Sequence, residues 1–446
     1  MTTAIWWIRR DMRLADNKAL QSAAANSAVV PLFVVDPRFE VAGHARKSFM
    51  YNHLRSLDAA MGNNLVLRHG DPLVEVLALV QLVGATSVHI ASDFAPYGHR
   101  RDAAVRDVLA ANGIELVEAD SPYCVNPGTV LKDDGTPLKV FTPFYKRWSL
   151  IDFSSATETD VVYANEVQHS QGYPEVSTTA TELPPVGEDA AWERWNSWSV
   201  KLSSYQEDRD NPGIDGTSMM SPYLRFGVIH PRQLIAHLNG TEGADHYRRE
   251  LAWREFYADV LFHQPRTMWE NLQEKMNVLS IDSDANAQKR FEKFCSAQTG
   301  YPIVDAGIRQ MLATGSMHNR VRMIVASFLV KDLHVPWQWG AKFFMQHLVD
   351  GDIASNNHGW QWTAGTGTDA APYFRVFNPT SQSAKFDPTG AYLRRWIPEI
   401  ADLDDKSIHE PSSLGLLAPT GYPEPMVDHA VERNEALARY KAVSGK

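Results

Sequence analysis

Apolar runs and helical spacings divide the chain into two unlike halves. Ala4 to Ile8 and Ala28 to Val35 are near-continuous apolar runs, and Leu65 to Arg68, Ser87 to Ala91 and Ile114 to Val117 supply three more strand-length segments. Runs of this kind predict buried parallel strands. Between them, apolar residues recur at helical spacing over about 16–26, 48–62, 72–84 and 99–112. Strand and helix therefore alternate, which predicts a doubly wound, Rossmann-like α/β domain over about residues 1–130. Periodicity then lapses, and residues 131–190, rich in Pro, Ser, Thr and Glu, predict a long surface connection. Beyond Trp192 the strand signals stop, so residues 191–446 are expected to form an all-α domain.

Composition narrows the function class. A chain of 446 residues with 44% hydrophobic and 22% charged residues is ordinary for a soluble globular protein of two or more domains. No apolar run reaches bilayer length and no signal-type segment opens the chain, which places it in the cytoplasm with no membrane partner. Two distant cysteines, Cys124 and Cys295, suggest neither a disulfide framework nor a metal site. A net charge of −10 argues against a protein that coats DNA, since that requires neutralising many phosphates. Any DNA site must be a local basic patch.

Candidate chemistry concentrates near the C-terminal end. Asp350-Gly-Asp-Ile-Ala-Ser-Asn-Asn-His-Gly-Trp-Gln-Trp362, continued by a Gly-, Thr- and Ala-rich segment to Pro379, carries two acids, two amides and two indoles. It has too little aliphatic content for an ordinary core helix and reads as the wall of a site for a flat, polar-edged ligand. A surface loop of turns and caps is the other reading. Upstream, Thr217, Ser218, Ser221 and Pro222 predict a helix start suited to a phosphate, although capping without a ligand is commoner. Glu250, Trp253 and Arg254 project to one side of a helix, as a ligand-facing set or as a salt bridge beside a core tryptophan. Asn319 and Met323 share another helix face. Arg10, Asp36 and Asp93 fall at the carboxyl ends of strands, where open sheets bind ligands, yet no Gly-x-Gly-x-x-Gly follows the first strand.

Taken together, the segment from Asp350 to Pro379, the Thr217–Ser221 block and the Glu250–Arg254 set resemble the flavin- and lesion-binding core of DNA photolyases in the cryptochrome/photolyase family, specifically those acting on cyclobutane pyrimidine dimers. The likeness runs from Trp6 to about Pro398. It implies light-driven repair of ultraviolet-damaged DNA by electron transfer from photoexcited reduced FAD to an extruded dimer. It implies that Thr217, Ser218, Met219, Met220 and Ser221 hold the flavin diphosphate, that Tyr205 closes the pocket, and that Tyr247, Arg254, Asn319 and Arg322 complete the cofactor wall. Asp350 and Asp352 would contact the flavin and Asn356 its N5 edge. Glu250 and Asn319 would stabilise the anionic dimer, while Trp253, Met323 and Trp362 receive it. Arg209, Arg320, Arg322 and Arg375 would grip the DNA backbone, with Arg320 and Arg322 turned outward. Phe141 to Trp148 looks like a short docking helix of the family.

Trp337 and Trp360 match two members of the family's tryptophan relay. The third position aligns near Asp284, in a stretch from Ile281 to Ala287 without tryptophan, so Trp339 or Trp269 would end the relay or photoreduction would be impaired. Asn319 and Met323, where paired histidines mark repair of the (6-4) photoproduct, point to cyclobutane dimers. The stretch from Asp93 to Asp102 is similar to enzymes whose antenna is 8-hydroxy-5-deazaflavin, with Arg10, Asp36, Asp93 and Arg225 as its site. 5,10-Methenyltetrahydrofolate is the alternative antenna, and a structural Arg10–Asp93 ion pair the alternative role for those residues. A blue-light photoreceptor without repair is the runner-up function, disfavoured by Asn356, by Glu250 with Trp253 and by the lack of a long tail. The expected state is a monomer.

Overall fold

The computed structural model describes residues 2–155, 160–175, 181–370, 372 and 375–444. Ala371, Tyr373 and Phe374, part of the family-like segment, lie outside the described residues. Strands β1 (Thr2–Ile8), β2 (Ser27–Val35), β3 (Val66–His69), β4 (Ala85–Ala91) and β5 (Glu115–Asp120) form a parallel sheet of order β3-β2-β1-β4-β5. Helices α1 (Lys18–Ala24), α2 (His44–Ala60), α3 (Pro72–Val83) and α4 (Pro96–Ala111) alternate with the strands. The central strand shows why both faces must be covered: Ala4, Trp6 and Ile8 enter one core with Phe49 and Leu54 of α2, while Ile5 and Trp7 enter the other with Leu79 of α3 and Leu109 of α4. The strand order reverses between β1 and β4, so the loops carrying Arg9, Arg10 and Asp93 meet at one edge.

The connection is less free than its composition suggests. It contains α5 (Phe141–Trp148), and residues 162–164 return to the sheet, where Val29 donates its amide to Val162 O at 2.8 Å and accepts from Ala164 N at 2.9 Å. The remainder is helical: α6 (Glu188–Ser199), α7 (Tyr205–Asp208), α8 (Ser221–Phe226), α9 (Pro231–Ala236), α10 (Glu242–His263), α11 (Ala285–Cys295) and α12 (Pro302–Thr314). They are followed by α13 (Asn319–Ser327), α14 (Trp337–His347), α15 (Ile353–Ala364), α16 (Pro379–Phe386), α17 (Ala391–Trp396) and α18 (His429–Ser444). Among the described residues no helix is long and apolar enough to cross a membrane.

The halves share a core. Trp195, Trp198, Tyr223, Phe226 and Tyr247 of the helical half join the cluster built on Trp6, Ile8 and Phe49. Buried ions add a second seam: Arg232 lies 2.9 Å from Asp120 and 2.6 Å from Asp16, and Arg13 lies 3.0 Å from Asp120. Burial alone would raise the Asp120 carboxyl, but Arg232 and Arg13 hold it well below the usual carboxylate range.

The segment from Asp350 to Trp362 differs from expectation. It is a regular helix over most of its length, because Asp352 accepts from the amides of Ala354 and Ser355 at 3.2 Å each and so starts α15. Ala354, Asn357, His358, Gln361 and Ala364 are buried despite their small or polar character. The polar ones are satisfied internally, as where Gln361 donates to Thr267 O at 2.8 Å and accepts from Leu272 N at 2.9 Å.

Candidate active site

At the strand ends, polar side chains are satisfied by one another. Arg10 lies 2.8 Å from Asp352 and 3.7 Å from Asp93, and Arg225 lies 3.9 Å from Asp352 while donating to Gly351 O at 2.8 Å. Arg254 donates to Pro122 O at 2.8 Å and Leu224 O at 3.2 Å and stacks on Tyr123, which also faces Arg10. Burial opposes the charge on Asp352, yet Arg10, Arg225 and Arg254 hold its carboxyl far below the usual range. Burial, with Arg10 alongside, pushes Arg225 down to about 10. Arg10, Asp93 and Arg225, expected at an antenna, thus form one interdomain cluster with Asp352. Asp36 stands apart, accepting from the Tyr97 hydroxyl and from Arg38 N.

One turn into α15 the character changes. Its face bearing Ser355, Asn356, Gly359 and Trp362 is only half-buried, and a Cβ added to Gly359 would meet open space. A glycine in mid-helix costs about 1 kcal/mol relative to alanine, so helix formation does not explain it. Asn356 donates to Ala341 O at 3.1 Å and to Asn357 Oδ1 at 2.8 Å, and its carbonyl oxygen has no partner among the described residues. An acceptor is therefore left free on the open face of the helix.

The polar residues expected around a diphosphate are linked to one another. Ser221 begins α8 and donates to Asp350 Oδ2 at 2.7 Å, and Arg322 of α13 donates to the same carboxylate at 2.9 Å. The hydroxyls of Ser218 and Tyr247 lie 2.9 Å apart. Arg194 of α6, which no sequence pattern marked, shapes this turn by donating to Thr217 O at 2.6 Å and Ser218 O at 3.1 Å. Met220 is buried, while Met219 is exposed and adopts a left-handed backbone, φ 57°, unusual for a methionine. Tyr205 is buried edge-on against Tyr247 and Trp198. His318, whose buried Nε2 has no partner among the described residues, is pushed down to about 4 by burial and stays neutral near pH 7.

α10 supplies the other wall. Glu250 pairs with Arg209 at 2.6 Å. Trp253 stacks on Phe141 of α5, centroids 3.8 Å apart and planes within 8°, so one indole face is already covered. Phe141 was visible only as part of a short helix, and this pairing was not. Asn319 and Met323 stand one turn apart on α13, exposed and half-buried respectively.

The basic residues depart from the expected outward set. Arg320 pairs with Asp210 at 2.7 Å and Arg322 with Asp350, because each meets a carboxylate from a neighbouring segment. Arg209 is likewise paired, and only Arg375 is exposed, its carbonyl accepting from Lys331 Nζ at 2.7 Å. Trp360 packs edge-on to Phe344 and over Gly340, and Trp337 begins α14, one turn before that glycine.

Comparison with known proteins shows the family and the fold. A family model described as DNA photolyase matches residues 4–161, and one described as the FAD binding domain of DNA photolyase matches residues 247–442. The chain is 36% identical to the deoxyribodipyrimidine photo-lyase of Vibrio cholerae, over 98% of this chain and 99% of the relative. A class III photolyase structure from Agrobacterium tumefaciens is similar with a TM-score of 0.91 at 33% identity, covering 100% of this chain and 98% of that one. A cryptochrome from Synechocystis is similar with a TM-score of 0.88 at 26% identity, covering 98% of each chain.

Proposed function

The chain belongs to the DNA photolyase family, and we propose that it repairs cyclobutane pyrimidine dimers in DNA by light-driven electron transfer, with FAD seated against the open face of α15. It is a flavin-binding carbon–carbon lyase. The observation that carries the site is the combination at α15 of open space over Gly359 with an unpartnered Asn356 carbonyl, which fits a flat ring system with an N–H on its edge. Reduced FAD, when bound, supplies the electron on excitation by blue light. The protein supplies position and charge.

Asn356 holds the cofactor's protonated edge through its carbonyl, while Ser218, Ser221, Arg322 and Tyr247 line the diphosphate end. Asp350 orients Ser221 and Arg322, and Asp352 fixes the start of α15 through its cap. Glu250 and Asn319 stabilise the charge that develops on the dimer, a preorganised electrostatic contribution. Glu250 is aimed by Arg209, which lies 2.6 Å away. Trp253, braced from behind by Phe141, offers its second face to the extruded pyrimidines alongside Met323 and Trp362. Exposed Arg375 meets backbone phosphate directly. Arg320 reaches phosphate by giving up its Asp210 partner, which makes binding fall with salt.

For the antenna we favour 8-hydroxy-5-deazaflavin at the strand ends near Asp36 and Tyr97, supported by the Asp93–Asp102 stretch. Spectra of extracted chromophores test it. The lyase assignment is tested with ultraviolet-treated oligothymidine under blue light, following recovery of thymine-band absorbance. The wild-type protein is expected to restore it, and Glu250→Gln to keep its flavin while losing repair rate about 100-fold. No recovery with fully reduced flavin rejects repair in favour of the photoreceptor reading.

A further inference from the structure

Helices α11 and α14 leave aromatic rings partly uncovered between them. On α14, Trp339, Phe343 and His347 recur every four residues and so share one side, and on α11, Gln288, Phe291 and Cys295 share another. These two sides border an open groove of about 410 Å³, which Lys342 also lines. Small-molecule sites typically have about 300–1,000 Å³. Phe291 stands edge-on to Trp339 with ring centroids 5.4 Å apart, and Phe343 edge-on to His347 at 4.8 Å. Phe291 and Trp339 are only half-buried, so part of each ring is left for another partner.

The groove has one sign of charge. Lys342 is exposed and has no carboxylate partner among the described residues, its ammonium lying 5.4 Å from the Trp269 ring centroid. Glu292, one turn before Cys295, stands outside the lining and accepts from Gln288 Nε2 at 3.3 Å. Burial pushes the Cys295 thiol up to about 12 and holds the His347 imidazole below its ordinary value, so both are neutral near pH 7. The groove is also separate from the face of α15 that bears Asn356. α14 turns a different side to that helix, where Gly340 lies under Trp360 and Ala341 O accepts from Asn356 Nδ2 at 3.1 Å.

We propose that the groove between α11 and α14 is a second ligand site, taking a small flat aromatic anion with its ring on Trp339 and its negative group on Lys342. The ring system is held between the indole and the Phe291 and Phe343 rings, where offset and edge-on contacts are favourable. Lys342 selects against a cation and gains an ion partner. A helix of a partner protein, about 10–12 Å across with its side chains, is too wide for this space.

The test is fluorescence titration of the full chain saturated with FAD, with anilinonaphthalene sulfonate as the probe and N-phenylnaphthylamine as its uncharged counterpart. One equivalent of the sulfonate should bind with the flavin retained. Trp339→Ala should weaken it at least about tenfold, and Trp339→Phe should recover most of that loss. Lys342→Gln, a change at an exposed position, should weaken the sulfonate about threefold and leave the uncharged compound unaffected. Sulfonate affinity unchanged in both Trp339→Ala and Lys342→Gln overturns the site. Release of FAD as the sulfonate binds does so too, because it places the probe in the flavin seat. A chain that sediments as a dimer and becomes monomeric in Trp339→Ala gives the groove to a second copy and likewise overturns the proposal.

Discussion

The N-terminal cap of α15 and the open face one turn later hold similar residues, and they differ in what satisfies them. Asp352 is capped into the helix and surrounded by Arg10, Arg225 and Arg254, so its charge is spent on joining the two halves. Asn356 and Gly359 are left with an unused acceptor and unfilled space. The first arrangement is complete without a ligand, and the second is not. Polar residues in a family motif therefore divide into those that build the seat and those that meet its occupant, and partner geometry separates them better than residue type.

Removing the Asp352 charge should give the largest effect. Asp352→Asn leaves the more distant Asp93 as the nearest carboxylate to Arg10, and breaking a buried pair of this kind costs about 3–5 kcal/mol. Denaturant unfolding should show that loss, and a change below about 1 kcal/mol would mean the cluster does not hold the halves together. Acid gives the same comparison for the wild type. Because the folded-state pKa of Asp352 is depressed, its stabilisation is present above the unfolded value of about 3.9 and is lost as pH falls through and below it.

A second acid effect of about 3 kcal/mol comes from the buried side of α15. Burial pushes His358 down to about 4 from an ordinary 6.5, although its bond to Ala354 O opposes this. Between those values the unfolded chain binds more protons than the folded one, so stability falls as pH is lowered through that window. His358→Gln should flatten the slope between pH 6.5 and 4 when unfolding is followed across pH. An unaltered slope would assign it to other groups.

The smallest change in fold stability is expected on the open side. Gly359→Leu should fill the open space beside the helix, weakening FAD binding about 100-fold, near 3 kcal/mol. Fold stability should hold or rise by up to about 1 kcal/mol, because leucine favours a helix. Flavin retained at wild-type affinity, measured by titration of the stripped protein, would move the cofactor seat elsewhere.

Much of this was legible along the chain. The strands came from runs such as Ala28 to Val35, where periodicity leaves no polar face, and α10 from residues that share one helical side. The segment at Asp350 was marked by its amides and indoles but not as a helix, because its buried face carries Asn357, His358 and Gln361. Those are tolerated in a core only through partners on distant segments, which local pattern does not contain. Gly359 lay within the quoted string without a signal of its own. Arg320 and Arg322 were expected outward for the same reason: a basic residue on a helix does not announce the carboxylate that will face it.

What the sequence determined by itself was the alternation of elements, the division into an α/β and a helical half, and the residue types gathered near the site, since periodicity and composition are local properties. Tertiary structure alone decided which polar groups found partners. Whether Asp352 meets three guanidinia while the Asn356 carbonyl meets open space depends on segments hundreds of positions apart being brought within a few ångströms, and the free energy of a buried polar group is set by that partner rather than by its neighbours in the chain.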